Sequence, residues 1–210
     1  MSPAPSPSSP RLRHSVIAVA VLFFVNGATF SNWLPRVPEI RDSLGIGNAG
    51  LGATLLGAGA GGLVGSLLVG RTMDRTGSRR LLVLAASALS VGLPLVAVVP
   101  HPVLLLVVLT ALGMLDVAND VAMNAQGVIV QQQLGRSIMN RLHATWSLGF
   151  TVGAVVGSIA AALEIAVEAH LALVGGVLLV TVLVARRWLV ALDPPLAADQ
   201  VDRRPGRPRP

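Results

Sequence analysis

The sequence predicts an all-α membrane protein with six transmembrane helices, and three observations carry that prediction. Apolar residues make up 53% of the chain and charged residues 12%, with a mean hydropathy of +0.71, well beyond an ordinary soluble domain. A bilayer core about 30 Å thick takes about 20 helical residues to cross. Six continuous apolar runs of that order lie between charges, at 15–35, 47–69, 81–99, 103–128, 144–163 and 168–188. They are rich in alanine and leucine rather than short and alternating, which argues against a β-barrel. Finally, all 16 basic residues are arginine, and all but Arg36 and Arg41 fall on alternate loops or at the termini. By the positive-inside rule this puts both termini in the cytoplasm.

The same placement accounts for the net charge of +6 without a nucleic-acid partner. The chain has no cysteine, so disulfides and thiolate metal sites are excluded, and no metal or cofactor is implied. Residues 1–14, rich in Pro and Ser, and 191–210, rich in Pro and Arg, read as disordered cytoplasmic tails flanking a bundle over 15–190. A signal peptide over the first run would need cleavage near Asn26-Gly27-Ala28, a poor site, so the run is taken as the first span.

Span 1 carries a polar set, Asn26, Thr29, Ser31 and Asn32, ahead of Trp33 and Pro35-Arg36. Asn26, Thr29 and Trp33 share one face at helical spacing. Span 2 has Gly57, Gly61 and Gly65 at intervals of four, and span 5 repeats this with Gly149, Gly153 and Gly157. Such stripes serve static packing in any bundle; the functional alternative is sliding or rocking against a neighbouring half during alternating access. Pro94 lies inside span 3, where it is expected to kink the helix.

Between spans 2 and 3 runs Gly70-Arg71-Thr72-Met73-Asp74-Arg75-Thr76-Gly77-Ser78-Arg79-Arg80. Gly70 and Gly77 are expected to allow positive φ at the two helix ends, with Asp74 paired among Arg71, Arg75, Arg79 and Arg80.

Span 4 holds the chemistry. Asp116, Asp120 and Asn124 stack at intervals of four on one face. An aspartate at mid-helix costs about 2.5–3.5 kcal/mol on an insertion scale. The pair should therefore face water or partner groups, and two carboxylates one turn apart favour sharing a proton. Asp116 is the deeper; Asp120 is either part of the pair or a solvated residue within reach of Arg141. At the start of span 5, His143, Trp146 and Ser147 cluster. A Ser-His hydrolase would need a supporting acid and a nucleophile turn, neither visible, so these groups are read as a vestibule lining or a helix cap, and the chain is not read as an enzyme.

The loop at 70–80 resembles the G-x-x-x-D-R-x-G-R-R signature of the major facilitator superfamily, with Gly70, Asp74, Arg75, Gly77 and Arg79 matching and Ser78 departing. The stretches Asp120 to Asn124, Gly135 to Met139 and His143 to Gly149 are similar to the fucose-permease-like group of that superfamily in bacteria. The resemblance implies one half of a 12-helix fold, its six helices forming a 3+3 inverted repeat in which the polar sets of spans 1 and 4 sit at equivalent positions. It also implies residence in a bacterial inner membrane. Asp116 takes the place of the group's proton-carrying acid, with Asp120 at a usual asparagine and Asn32 where an acid precedes the Leu-Pro segment. The absence of a Gly-Pro dipeptide in span 5 sets the chain apart from many drug antiporters.

The expected function is that of a proton-coupled symporter, or its amino-terminal half, moving a small polar solute such as a sugar by alternating access. Asp116 and Asp120 would handle the proton. Asn26, Thr29, Asn32, Asn124, His143 and Trp146 would line the solute cavity. Gly70, Asp74, Arg75, Gly77, Arg79 and Arg80 would form a cytoplasmic latch. The expected partners are membrane lipid, the solute and its proton, and a second six-helix half, from a homodimer or a carboxy-terminal half. The alternative is a non-transporting truncated product, or a scaffold that binds partners through its glycine faces.

Overall fold

The computed structural model describes residues 10–191, so most of both expected tails lies outside the described residues. The described chain is helical, with no strand: α1 (Pro10–Asn32), α2 (Val37–Ser43), α3 (Asn48–Thr76), α4 (Ser78–Gly92), α5 (Leu95–Val98), α6 (Pro102–Leu134), α7 (Met139–Ala162) and α8 (Val167–Ala185). Six helical stretches are long and apolar enough to cross a membrane: Pro10–Ser43, Asn48–Thr76, Ser78–Val98, Pro102–Leu134, Met139–Ala162 and Val167–Trp188.

The helices outrun the apolar runs. α1 is already helical at Pro10, the first described residue, rather than from 15. α6 continues past 128 through Gln131, Gln132 and Gln133 to a left-handed cap at Gly135. The side chain of Gln131 turns forward and accepts from the N–H groups of Ile138 and Met139 at 2.9 and 3.3 Å, capping α7. His143, Trp146 and Ser147 consequently sit beyond the first turn of α7.

Proline divides two of the spans. Pro35 and Pro38 separate α1 from α2 through a short 3-10 turn at Leu34–Arg36. At Pro94 the third span breaks rather than merely kinking: α4 stops at Gly92 and α5 begins at Leu95. The missing N–H of Pro94 frees the carbonyl of Ser90, which lies against Gly175 of α8.

Two glycine seams hold the bundle. Gly57, Gly61 and Gly65 of α3 press on the backbone of Leu106, Thr110 and Met114 in α6, and Gly149, Gly153 and Gly157 of α7 press on Phe24, Ala28 and Asn32 in α1. All six are buried; a Cβ would collide with backbone at five of them and be tightly pressed on Met114 at Gly65. Lipid provides no hydrophobic drive for helix association, so this close approach supplies the packing instead. Both stripes are spent inside the bundle. They are not the faces it offers to a neighbour.

The principal packing partners are α3 with α6, α1 with α7, α4 with α6 and α8, and α1 with α6 and α8. That pattern is unchanged when spans 1, 2 and 3 are exchanged with spans 4, 5 and 6, as an inverted repeat requires.

Candidate functional site

A polar chain crosses the middle of the bundle. Asn26 of α1, buried by its neighbours, accepts the indole N–H of Trp146 from α7 at 2.7 Å. Its own amide N–H donates to Oδ1 of Asp116 on α6 at 3.1 Å. Three helices thus meet through one asparagine, whose amide supplies the acceptor the indole needs and the donor the carboxylate needs. A half-buried carboxylate is tolerated in such a place only with a donor or water beside it.

Cavities open on both sides of this chain. One, of about 250 Å³, is lined by Asn26, Asp116, Asp120, Met123, His143 and Trp146. The other, of about 280 Å³, shares Asn26 and Asp116 but is otherwise mainly apolar, with Phe30, Trp33, Leu109 and Leu112 in its wall. Aromatic rings continue the surface: Trp146 lies 5.5 Å from Phe150, and Phe150 stacks on Phe30 at 6.3 Å. His143 meets Phe23 edge-on at 5.4 Å.

The two aspartates divide. Asp116 faces Asn26, whereas Asp120 is exposed and accepts from Asn124 Nδ2 at 3.0 Å on its own helix. No ion pair joins Asp120 to Arg141 among the described residues. Asn124 is absent from both cavity walls. Thr29 reaches the apolar cavity, yet its hydroxyl donates back to Val25 at 2.8 Å. Asn32 is withdrawn from either cavity: it donates to Ala28 at 2.7 Å and packs against Gly153 and Gly157 in the seam. Ser147 donates to the backbone carbonyl of His143, not to its ring, so no nucleophile pair forms.

The 70–80 segment also departs from expectation. Gly70 lies within α3 with open space beside it and does not end a helix, because Arg71 to Thr76 extend the helical hydrogen bonding. Gly77 alone makes the turn, at φ 76° and ψ 153°, and joins α3 to α4 in one residue. Asp74 is exposed and forms no ion pair among the described residues, since the lengthened helix holds its side chain in solvent. Arg79 reaches across to the carbonyl of Arg186 at 3.2 Å, and Arg75 and Arg80 stand beside it.

Two side chains not singled out from the sequence prove central to the packing. Gln126 is fully buried and donates to Ser78 Oγ at 2.8 Å and to the carbonyl of Val190 at 3.0 Å. It thereby ties α6 to the start of α4 and the end of the described chain. The residue that departs from the family signature, Ser78, is its partner. Arg36 is fully buried, pairs with Glu39 at 2.7 Å and donates to the carbonyl of Ile165. Its i,i+3 spacing to Glu39 was the available signal.

The model of the Major Facilitator Superfamily matches residues 19–209. An uncharacterized MFS-type transporter of Yersinia pestis is 32% identical over 80% of this chain and 43% of its own length. An uncharacterized transporter of Sinorhizobium fredii is 32% identical over 72% and 40%, and a chloramphenicol resistance protein of Streptomyces lividans is 30% identical over 73% and 38%. The chain spans about two-fifths of the length of these relatives. With its six membrane-length helices and repeat-symmetric packing, the chain belongs to the major facilitator superfamily of membrane transporters.

Proposed function

We propose that this bundle binds a small solute beside Asp116 and, completed by a second six-helix half, moves it across the membrane by proton-linked alternating access, with Asp116 carrying the proton. The observation that supports this reading is the Trp146–Asn26–Asp116 chain standing between two cavities. A carboxylate with an amide donor on one oxygen and a cavity on either side can give its proton to a solute or to water, because the anion left behind keeps a hydrogen-bond donor and access to water. Asp120 and His143 sit on the smaller cavity, where they serve as the route by which that proton reaches one side.

The lining also bears on the solute. Asn26 is committed on both sides and Thr29 is bonded to its own helix. The second Asp116 oxygen and the His143 ring are what this half offers, among Phe30, Trp33 and leucines. Such a wall suits a compact solute with an apolar body and a few donors. A sugar, with many hydroxyls to satisfy, would depend on groups from the second half. The name of the Streptomyces lividans relative, a chloramphenicol resistance protein, agrees with an amphipathic solute. The 70–80 turn acts as the cytoplasmic latch, with Gly77 as its corner and Arg79 as its clasp on Arg186.

The test is flux in proteoliposomes containing the chain together with a second half. Asp116→Asn should abolish the response of uptake to an imposed pH gradient while solute exchange at equal pH persists. Unaltered proton dependence removes Asp116 from the mechanism, and a lack of solute binding by the complete assembly removes the carrier reading.

A further inference from the structure

At the arginine-rich end of the bundle, α3, α4 and the turn after α8 enclose an open recess of about 740 Å³. Arg75, Arg79 and Arg80 enter from one side and Arg186 and Arg187 from the other, and among the described residues no acidic one lines it. Among the described residues the clustering is uncompensated. Both ion pairs among the described residues, Arg36 with Glu39 and Arg41 with Asp42, lie elsewhere, and Asp74 makes none. Of the five guanidinium groups, only Arg79 has a hydrogen-bond partner among the described residues, the carbonyl of Arg186 at 3.2 Å. That bond fixes the distance between the two sides of the recess without neutralising either.

We infer that this recess is a binding site for an anionic phospholipid, held through its phosphates. Guanidinium groups bind phosphate oxygens as two-pronged donors, and five of them exceed what one phosphodiester can use. A lipid with two phosphates, of the diphosphatidylglycerol kind, matches the site best. The choice of a lipid over a soluble phosphate compound rests on the wall below the arginines. Val83 and Leu84 follow Arg79 and Arg80 one turn along α4 and also line the recess, and Leu84 is 64% exposed. Charge at the mouth running into apolar surface on the same helix face fits a headgroup with its acyl chains, and basic pockets between membrane helices bind such lipids. The site joins α4 to the end of α8, so occupancy would brace the same ends of the bundle that Gln126 ties through Ser78 and Val190.

The purified full chain in neutral detergent, titrated with diphosphatidylglycerol or phosphatidylcholine and read by native mass spectrometry, tests this. The expected result is preferential retention of the two-phosphate lipid. The double variant Arg186→Gln/Arg187→Gln should weaken that retention roughly thirtyfold. Arg136→Gln/Arg141→Gln, which removes the same charge outside the recess, should leave it near the original value. Leu84→Asn should weaken the lipid without touching an arginine. Equal retention of both lipids, or equal losses in the two double variants, overturns the proposal. Displacement of the lipid by micromolar pyrophosphate would overturn it in favour of a soluble phosphate ligand.

Discussion

Trp146 of α7 gives its indole N–H to the side-chain oxygen of Asn26 on α1 at 2.7 Å, and that contact orients the asparagine so that its amide N–H faces Asp116. The indole therefore sets the position of the donor on which the half-buried carboxylate depends. Asn26→Ala should lower stability by about 1–3 kcal/mol, since it strands a donor and an acceptor together. A double-mutant cycle with Trp146→Phe, followed by thermal unfolding in detergent, should show coupling of about 0.5–3 kcal/mol. Strictly additive losses would mean that the contact carries no energy.

The glycine seams permit a comparison within one helix. Gly61→Ala places a Cβ on the backbone of Thr110, whereas Gly59 has nothing within 4 Å. Gly61→Ala should destabilise by about 1–3 kcal/mol through overpacking. Gly59→Ala should be neutral or stabilising by roughly 0.5–1 kcal/mol, from helix propensity. Melting temperatures of the two variants give the sign directly, and equal behaviour would deny that the seam is tight.

Gly77 and Gly135 both have positive φ, but in different regions. Gly77, at φ 76° and ψ 153°, occupies a conformation essentially confined to glycine, and Gly77→Ala should cost about 1–3 kcal/mol. Gly135, at φ 64° and ψ 18°, is left-handed helical, where asparagine is accepted, and Gly135→Asn should cost only a few tenths. Thermal unfolding of both variants checks the contrast.

Orientation is open to a labelling test, because the chain lacks cysteine. Ser43 and Ser137 are exposed at opposite ends of the bundle, whereas Ser78 is partly covered and bonded to Gln126. With both termini in the cytoplasm, an impermeant maleimide applied to intact cells should label Ser43→Cys and spare Ser137→Cys. The reverse pattern would invert the proposed topology.

The break at Arg36 gives a further test. Its guanidinium holds Glu39 and the Ile165 carbonyl together, linking the α1–α2 corner to the α7–α8 turn. Arg36→Lys, with a single compact ammonium, should lower stability by about 1–3 kcal/mol, measured as loss of the folded fraction on heating in detergent.

Composition and spacing determined the six spans, the arginine-rich end and the line of acids on one helix, because bilayer thickness and the 3.6-residue turn act on each segment separately. They also revealed both glycine stripes, since small residues four apart form a groove whatever lies beside it. Tertiary structure decided which groups meet. Helical periodicity places Asn26 and Asp116 on faces of their own helices but does not say that those faces converge, or that Trp146 closes the chain from a third helix. It also separated Asp116 from Asp120, drew Asn32 into a seam, left Asp74 with no ion pair among the described residues and brought Gln126 to Ser78. Each outcome depends on contacts between helices far apart in sequence, and those follow from the packing of whole surfaces rather than from any local pattern.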